Sequence, residues 1–306
     1  MKRLVACFGA LALASAAQAQ PKPADKPQYG GALSIANVYY TIAPLSFDSA
    51  DWAWKFNQDT GLAYEQLFAA DLSKARRNGG KHAFVTDGWL PPDGLRGELA
   101  ESWKLLDNPL RLEVQLRKGV MFPAKPGVMA ARELVADDVV YSFDRVNKSP
   151  KKIPTYFDHI AKVEATGKHT VVMSFGIYNA EWDYRWGWGY YSAIVPKEVM
   201  DTGGKDWKNV NGTGPYALSN YVQGNAMTFT KNPAYWDSET IAGEKFKLPF
   251  ADTITYRYIK DESTALTALR TGKLDIMESV RWSAVDELKK SAPKLQWNKC
   301  ILLSAA

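Results

Sequence analysis

Apolar and polar residues alternate most regularly in the stretch 110–117. Its apolar positions are Leu110, Leu112, Val114 and Leu116, and charged or amide side chains fill the positions between them. A period of two places successive side chains on opposite faces of a strand. We therefore predict a β-strand with one buried face, which ends at Lys118 and Gly119.

A helical pattern covers residues 136–148, with one apolar stripe formed by Val139, Val140, Phe143 and Val146. Asp137 and Asp138 fall in the first turn, where negative charge is favoured by the helix dipole. Val135 occupies the capping position. Because a valine side chain accepts no hydrogen bond, we expect a helix start weaker by about 1 kcal/mol unless Asp137 substitutes.

Strands and helices alternate irregularly along the rest of the chain. Further strands are predicted at 31–40, at 252–260, from 274 onward, and as a pair within 163–175. Further helices are predicted at 51–68, from 195–198, after a cap at Asp261 or Ser263 with a stop at Gly272, and at 282–290. This mixed order favours an α/β (mixed α+β) fold.

The stretch 212–237 reads as a tight turn, two short strands and an aromatic corner at Tyr235 and Trp236. Gly212 and Gly214 are expected to supply backbone angles that are closed to other residues, and Pro215 fixes its own φ. We expect this stretch to be structural.

The composition is that of a globular protein, and the first residues indicate export. The chain has 306 residues, 46% of them hydrophobic, and a net charge of +5. Residues 1–19 have the basic, apolar and A-x-A regions of a cleaved signal peptide, and residues 20–28 form a flexible leader. Cleavage would remove Lys2 and Arg3 and lower the net charge to +3, which argues against nucleic-acid binding. Eleven Trp residues make stacking surfaces in a cleft plausible.

Catalytic and metal-binding motifs are missing from the sequence. There is no G-x-S-x-G, P-loop or G-x-G-x-x-G motif. The S-x-x-K at 149–152 lies in a polar loop without its companion motifs, and we interpret it as chance. The three His residues are scattered, and only Cys300 would remain after signal cleavage. We predict that the protein is not an enzyme and has no cofactor or metal.

Four blocks together resemble the extracellular solute-binding proteins of family 5, the peptide-type binding components of ABC transporters. They are LAESWKLLDNPLRLEVQLRKGVMF at 99–122, ADDVVYSFDRV at 136–146, GTGPYALSNYVQGNAMTFTKNPAYWD at 212–237 and ALTALRTGKLDI at 265–276. Residues 45–48 stand where the family has a Leu-Asp-Pro turn. The longer segment 123–133 and the aromatic middle look most like the Yej-type branch.

The resemblance implies a two-lobed periplasmic-binding-protein-like fold (type II, cluster C). Residues 29–60 and 180–272 would form the first lobe, 61–179 an inserted subdomain, and 273–306 the start of a second lobe. Because family members are considerably longer, we expect the second lobe to be incomplete and the chain to be truncated. The implied role is capture of oligopeptides between the lobes, in the periplasm and as a monomer, for delivery to ABC permease subunits.

Most site residues are predicted from where the family contacts its ligand: at the lobe crossing, after the Leu-Asp-Pro-like turn, and in the loop after the helix at 136–148. Trp186 and Trp188 are predicted from the aromatic run. The full set is Glu278, Ser279, Trp282, Trp52, Trp54, Lys55, Tyr156, Trp186 and Trp188. Aromatic residues recur at every second position of 182–190, so an extended chain would place them on one face. That face is either a stacking surface in the cleft or packing between lobes. The crossing residues are alternatively an exposed loop, and the two Trp at 52 and 54 alternatively core packing.

Three other functions stay open at this stage. The same scaffold could carry heme, nickel or a glycan fragment, although the few His residues argue against nickel. A truncated product could bind nothing. An exported hydrolase is the alternative from another class, and no motif favours it.

Overall fold

We describe the protein from a computed structural model. The described residues are 26–36, 45–76, 79–82, 90–91, 93–277 and 280–297. The predicted signal peptide lies outside them, as does most of the leader. No helix within these ranges combines the length and the apolar character needed to cross a membrane.

Fifteen strands and four α-helices make up the described part. The strands are β1 Ala32–Ala36, β2 Phe68–Ala70, β3 Leu95–Gly97, β4 Ala100–Asp107, β5 Leu110–Leu116, β6 Met121–Phe122, β7 Arg132–Glu133, β8 Ile160–Gly167, β9 Thr170–Phe175, β10 Tyr216–Val222, β11 Ala226–Lys231, β12 Ser238–Ile241, β13 Glu244–Lys247, β14 Thr253–Arg257 and β15 Ile276–Met277. The helices are α1 Ala136–Asn147, α2 Lys197–Gly203, α3 Glu262–Arg270 and α4 Trp282–Ser291. Short 3₁₀ turns lie at Leu72–Lys74 and Trp207–Asn209, and π-helical turns at Phe56–Thr60 and Tyr184–Trp188.

The larger sheet has the strand order β10-β11-β14-β1-β15. Strand β1 runs parallel to β14 on one side and to β15 on the other, whereas β10 and β11 are antiparallel. One face packs on a buried apolar cluster that includes Ile35, Phe47, Tyr64, Met227 and Phe229. This sheet brings β1, near the beginning of the described chain, together with β14 and β15, more than 200 residues later.

The second sheet is antiparallel, with the order β4-β5-β9-β8. Its inner face and helix α1 share one core, in which Leu112, Val114 and Leu116 of β5 lie with Val139 and Phe143 of α1. The alternation in 110–117 and the helical stripe in 136–148 are thereby confirmed. The mixed α/β fold class is confirmed as well. The proposed lobe and subdomain boundaries stay a prediction.

Helix α1 begins after Val135, as predicted, but Asp138 rather than Asp137 compensates for the missing cap. The Asp138 carboxylate accepts a hydrogen bond from the Val135 backbone N–H at 3.0 Å. Arg132 donates to both oxygens of Asp138, at 2.8 and 2.9 Å, and also pairs with Glu198 of α2. The helix start is therefore fixed by an ion-pair network instead of a capping side chain.

Gly212 and Gly214 are required for a different reason from the predicted one. Neither has a positive φ. A Cβ atom at Gly212 would lie 2.1 Å from the backbone oxygen of Ala63, and one at Gly214 would lie 2.7 Å from that of Leu62. The two glycines let the chain pass directly over the segment at 62–63.

The predicted helix at 51–68 is wrong. The structure has turns there, one π-helical turn at Phe56–Thr60, and then strand β2. Its polar residues Lys55, Asp59 and Glu65 are buried, which a helix with one apolar stripe does not require. In contrast, the predicted cap at Asp261 is confirmed, because its carboxylate accepts from the Thr264 N–H at 2.7 Å.

Candidate functional site

The carboxyl ends of the parallel strands β1, β14 and β15 lie on one edge of the larger sheet. In sheets that contain parallel strands, ligands bind in the crevice outside such ends. Strand β15 ends at Met277, and the predicted site residues Glu278 and Ser279 that follow it lie outside the described residues. Trp282 begins helix α4, and its side chain is 75% exposed.

A buried ion pair lies close to this edge. Lys55 Nζ is 2.6 Å from an Asp59 carboxylate oxygen, and both side chains are almost completely buried. Burial, partly offset by Lys55, raises the pKa of Asp59. Burial, and secondly the charge of Asp59, raise the pKa of Tyr221 to about 12. The same two causes raise the pKa of Tyr258 as well. Because Tyr258 directly follows β14, the ion pair lies near the carboxyl end of that strand.

Five aromatic side chains form a connected surface, which we call the aromatic wall: Trp54, Tyr156, Tyr184, Trp188 and Tyr190. Tyr190 is central, with its ring centroid 4.6 Å from that of Trp54, 5.6 Å from that of Tyr184 and 6.2 Å from that of Tyr156. Tyr184 in turn lies 4.8 Å from Trp188. All but Tyr156 are partly exposed, so the wall offers ring faces or edges to a ligand.

One cation adjoins the aromatic wall. The guanidinium carbon of Arg185 lies 4.5 Å from the ring centroid of Tyr156. Arg185 also forms an ion pair with Glu181 at 2.6 Å. A guanidinium held between a ring and a carboxylate is preorganised, and such a group recognises carboxylates in two-point geometry.

The structure brings together three of the predicted site residues, namely Trp54, Tyr156 and Trp188, in the aromatic wall. Trp52 is 47% exposed, and Lys55 Nζ lies 6.0 Å from its ring centroid. Trp186 is 1% exposed and packs in the core, 5.2 Å from Phe143. Ligand contact by any of these residues stays a prediction.

The expectation of one aromatic face along 182–190 is wrong. Residues Tyr184–Trp188 form a π-helical turn, so alternate positions do not share a face. Trp186 points into the core, whereas Trp188 donates from Nε1 to Asp183 at 3.1 Å. Sequence reasoning also missed Asp59 and Arg185 as site candidates. The only local signal was a residue of opposite charge four positions earlier in each case, which is common on helices.

Within the part of the chain that the structure describes, acidic, histidine and cysteine side chains form no group of three or more that could hold a metal ion. The candidate site consists of aromatic rings, a sheet edge and a few charged side chains. These groups suit an organic ligand with its own hydrogen-bonding backbone.

Comparisons with known proteins agree on one family. The chain is 26% identical over 287 residues to the oligopeptide-binding protein AppA of Bacillus subtilis, an alignment that covers 89% of this chain and 44% of that protein. It is 26% identical over 266 residues to di/tripeptide-binding protein 1 of Pseudomonas aeruginosa, covering 81% of this chain and 45% of the relative. The chain thus spans less than half the length of these relatives.

The fold is also shared with a solved structure. The periplasmic binding protein DppA of Helicobacter pylori, in complex with the peptide STSA, superposes with a TM-score of 0.66 at 23% identity. The superposition covers 86% of this chain and 49% of that one. The periplasmic-binding-protein fold expected from the sequence is confirmed for the part of the fold that this chain spans.

The sequence model described as "Bacterial extracellular solute-binding proteins, family 5 Middle" matches residues 94–299. This match covers all four blocks from which the resemblance was inferred, together with the second sheet, α1 and the strands β10 to β15. Since it extends over more than half of the chain, the protein belongs to family 5 of the bacterial extracellular solute-binding proteins.

Proposed function

We propose that this protein is the solute-binding component of an ABC importer and captures oligopeptides or peptide-like ligands outside the cytoplasmic membrane. The observation that carries the proposal is the aromatic wall, in which Trp54 directly precedes the Lys55–Asp59 ion pair near the carboxyl end of β14, in a chain of this family. The relatives that it resembles are named for oligopeptides and for di- and tripeptides.

The ligand would lie against the aromatic wall and the sheet edge. A peptide offers backbone donors and acceptors to the edge, each hydrogen bond contributing about 1 kcal/mol, and side chains to the rings. Trp52, Trp54 and Trp188 would stack on those side chains, with Tyr156 and Trp186 supporting them from the core. Trp282 would contact the ligand from the side of α4, together with Glu278 and Ser279.

Lys55 would act through its ion pair with Asp59, which fixes the loop that carries Trp52 and Trp54. Binding involves no bond-making. Ligand contacts made only in a closed form would bias the protein towards that form, which a permease then recognises. We propose a periplasmic location, a monomeric state, and ABC permease subunits as the partners.

Native mass spectrometry of the protein recovered from the periplasm tests the proposal. We expect a peptide to co-purify with the protein. In calorimetry, a defined tripeptide mixture should compete with that peptide for binding. Trp54→Ala removes a ring of the aromatic wall and should weaken tripeptide binding by roughly three- to tenfold through lost stacking. Tyr178→Ala is the matched control, because Tyr178 is 60% exposed and lies outside the aromatic wall.

Two results would contradict the peptide assignment. One is co-purification of heme or a sugar in place of a peptide, without competition by tripeptides. The other is equal tripeptide affinity of Trp54→Ala and the unaltered protein, which would move the ligand away from the aromatic wall.

A further inference from the structure

A cavity of about 430 Å³ opens on the side of β4, away from the residues of the candidate site. It is lined by Glu101 of β4, by Arg117, Lys118 and Val120 after β5, and by Trp236. None of these residues belongs to the aromatic wall or to the sheet edge described above. The volume falls at the lower end of the range for small-molecule sites.

Arg117 is held rigidly on its side of this cavity. Arg117 donates from Nε to the backbone oxygen of Glu98 at 2.6 Å, and its guanidinium carbon lies 4.6 Å from the Trp236 ring centroid. Its backbone N–H donates to the Leu99 oxygen at 2.9 Å. In the following turn, the Gly119 N–H donates to a Glu133 carboxylate oxygen at 2.7 Å. Arg117 therefore loses little conformational entropy when a ligand binds here.

The acidic group is aimed at the cavity by an irregularity in the sheet. Ala100 pairs with Leu116 and Ser102 pairs with Gln115, so Glu101 is the extra residue of a β-bulge. Bulges redirect a side chain and are common beside functional sites. Glu101 consequently lines the cavity instead of following the regular alternation of β4.

Lys118 and Glu101 are both exposed, and within the described ranges neither has an ion-pair or hydrogen-bonding partner. The cavity thus presents two cations and one carboxylate around an aromatic and aliphatic floor made by Trp236 and Val120. Charges of opposite sign that do not neutralise each other suit a ligand that carries both signs.

We propose that this cavity is a second binding site, for a small zwitterion such as a free α-amino acid with an apolar side chain. The ligand carboxylate lies against Arg117 and Lys118, and its ammonium group against Glu101. Its side chain covers Trp236 and Val120. This site is separate from the peptide site and does not depend on it.

Fluorine NMR of protein labelled with 5-fluorotryptophan tests the site directly, with the Trp236→Phe variant used only to assign the Trp236 resonance. We expect L-leucine to shift that resonance saturably and to leave the Trp54 and Trp188 resonances unchanged. N-acetyl-L-leucine lacks the ammonium group and L-leucinamide lacks the carboxylate. Each should bind roughly two- to fivefold more weakly, as expected for the loss of one solvent-accessible ion pair.

Two variants with matched controls locate the charges. Glu101→Gln and Lys118→Ala should each weaken leucine binding by roughly two- to fivefold. Glu239→Gln and Lys104→Ala alter exposed residues outside the cavity and should leave it unchanged. The proposal is overturned if leucine causes no shift of the Trp236 resonance up to its solubility limit. It is equally overturned if the acetylated analogue binds as well as leucine, or if neither variant weakens binding.

Discussion

The indole Nε1 of Trp236 donates a hydrogen bond to Glu65 Oε1 at 3.0 Å, joining positions 171 residues apart. The Tyr235 hydroxyl donates to the same oxygen at 3.2 Å. Glu65 is 1% exposed. Burial, and then the negative charge of Glu98, raise the pKa of the Glu65 carboxyl. The aromatic corner at 235–236 is therefore held by a carboxyl group that binds a proton more tightly in the folded protein.

This arrangement predicts a stability that falls with rising pH. The folded state binds the Glu65 proton more tightly than the unfolded chain, whose Glu pKa is about 4.3. The contribution of Glu65 is thus most favourable below that pH and is lost progressively up to the folded-state pKa. Glu65→Gln should remove this loss, so its free energy of unfolding relative to the unaltered protein should rise by up to about 1.4 kcal/mol per pH unit in that window.

Urea denaturation of the two proteins in parallel from about pH 5 to pH 8 measures this difference. Comparing them cancels the titration of groups that do not interact with Glu65, whereas Glu98 titrates with Glu65 as a coupled pair and belongs to the measured difference. A constant difference across the range would contradict the raised pKa of Glu65.

The close passage of Gly212 over Ala63 predicts a strong effect of a single methyl group. In Gly212→Ala the new Cβ would lie 2.1 Å from the Ala63 oxygen, so the two segments must separate. We expect the free energy of unfolding to fall by about 2 kcal/mol or more. Gly176→Ala is the control, since a Cβ there meets nothing within 4 Å. Equal thermal stability of the two variants would show that the contact is not tight.

The sequence predicted those elements in which one period dominates. Strand β5 and helix α1 each bury a single face or stripe, so the spacing of Leu112, Val114 and Val139 was sufficient. The cap of α3 at Asp261 was equally local, because donor and acceptor are three residues apart. Family membership followed from several such blocks in a consistent order.

Other features depend on partners far along the chain. The buried carboxyl group of Glu65 is satisfied by hydrogen bonds from Trp236 and Tyr235, and no pattern within 51–68 contains that information. The aromatic wall likewise joins Trp54 to Tyr190, and a π-helical turn at Tyr184–Trp188 breaks the regular alternation. The residue types of the site were predictable, but the side of the chain on which each one lies was not.

The start of α1 provides a test of the cap that sequence reasoning misplaced. Asp138→Ala removes the acceptor for the Val135 N–H and one partner of Arg132. We expect the free energy of unfolding to fall by about 2 kcal/mol. Asp137→Ala, in the same turn but exposed, should change it by less than about 0.5 kcal/mol. Chemical denaturation measures the free energy of unfolding of the two variants. A larger loss of stability in Asp137→Ala would show that Asp137 substitutes for the cap, as the sequence predicted.

The pair of Lys55 and Asp59 decides whether Lys55 acts on the ligand directly or through the fold. Lys55→Met leaves the Asp59 carboxylate buried without its cation, so we expect a loss of about 3 kcal/mol or more in the free energy of unfolding. The double variant Lys55→Met with Asp59→Leu removes both charges and should regain most of that stability. Lys104→Met, an exposed control, should be neutral. If instead Lys55→Met kept full stability and lost only tripeptide affinity, Lys55 would be a ligand-contacting residue, and the ion pair would not fix the loop.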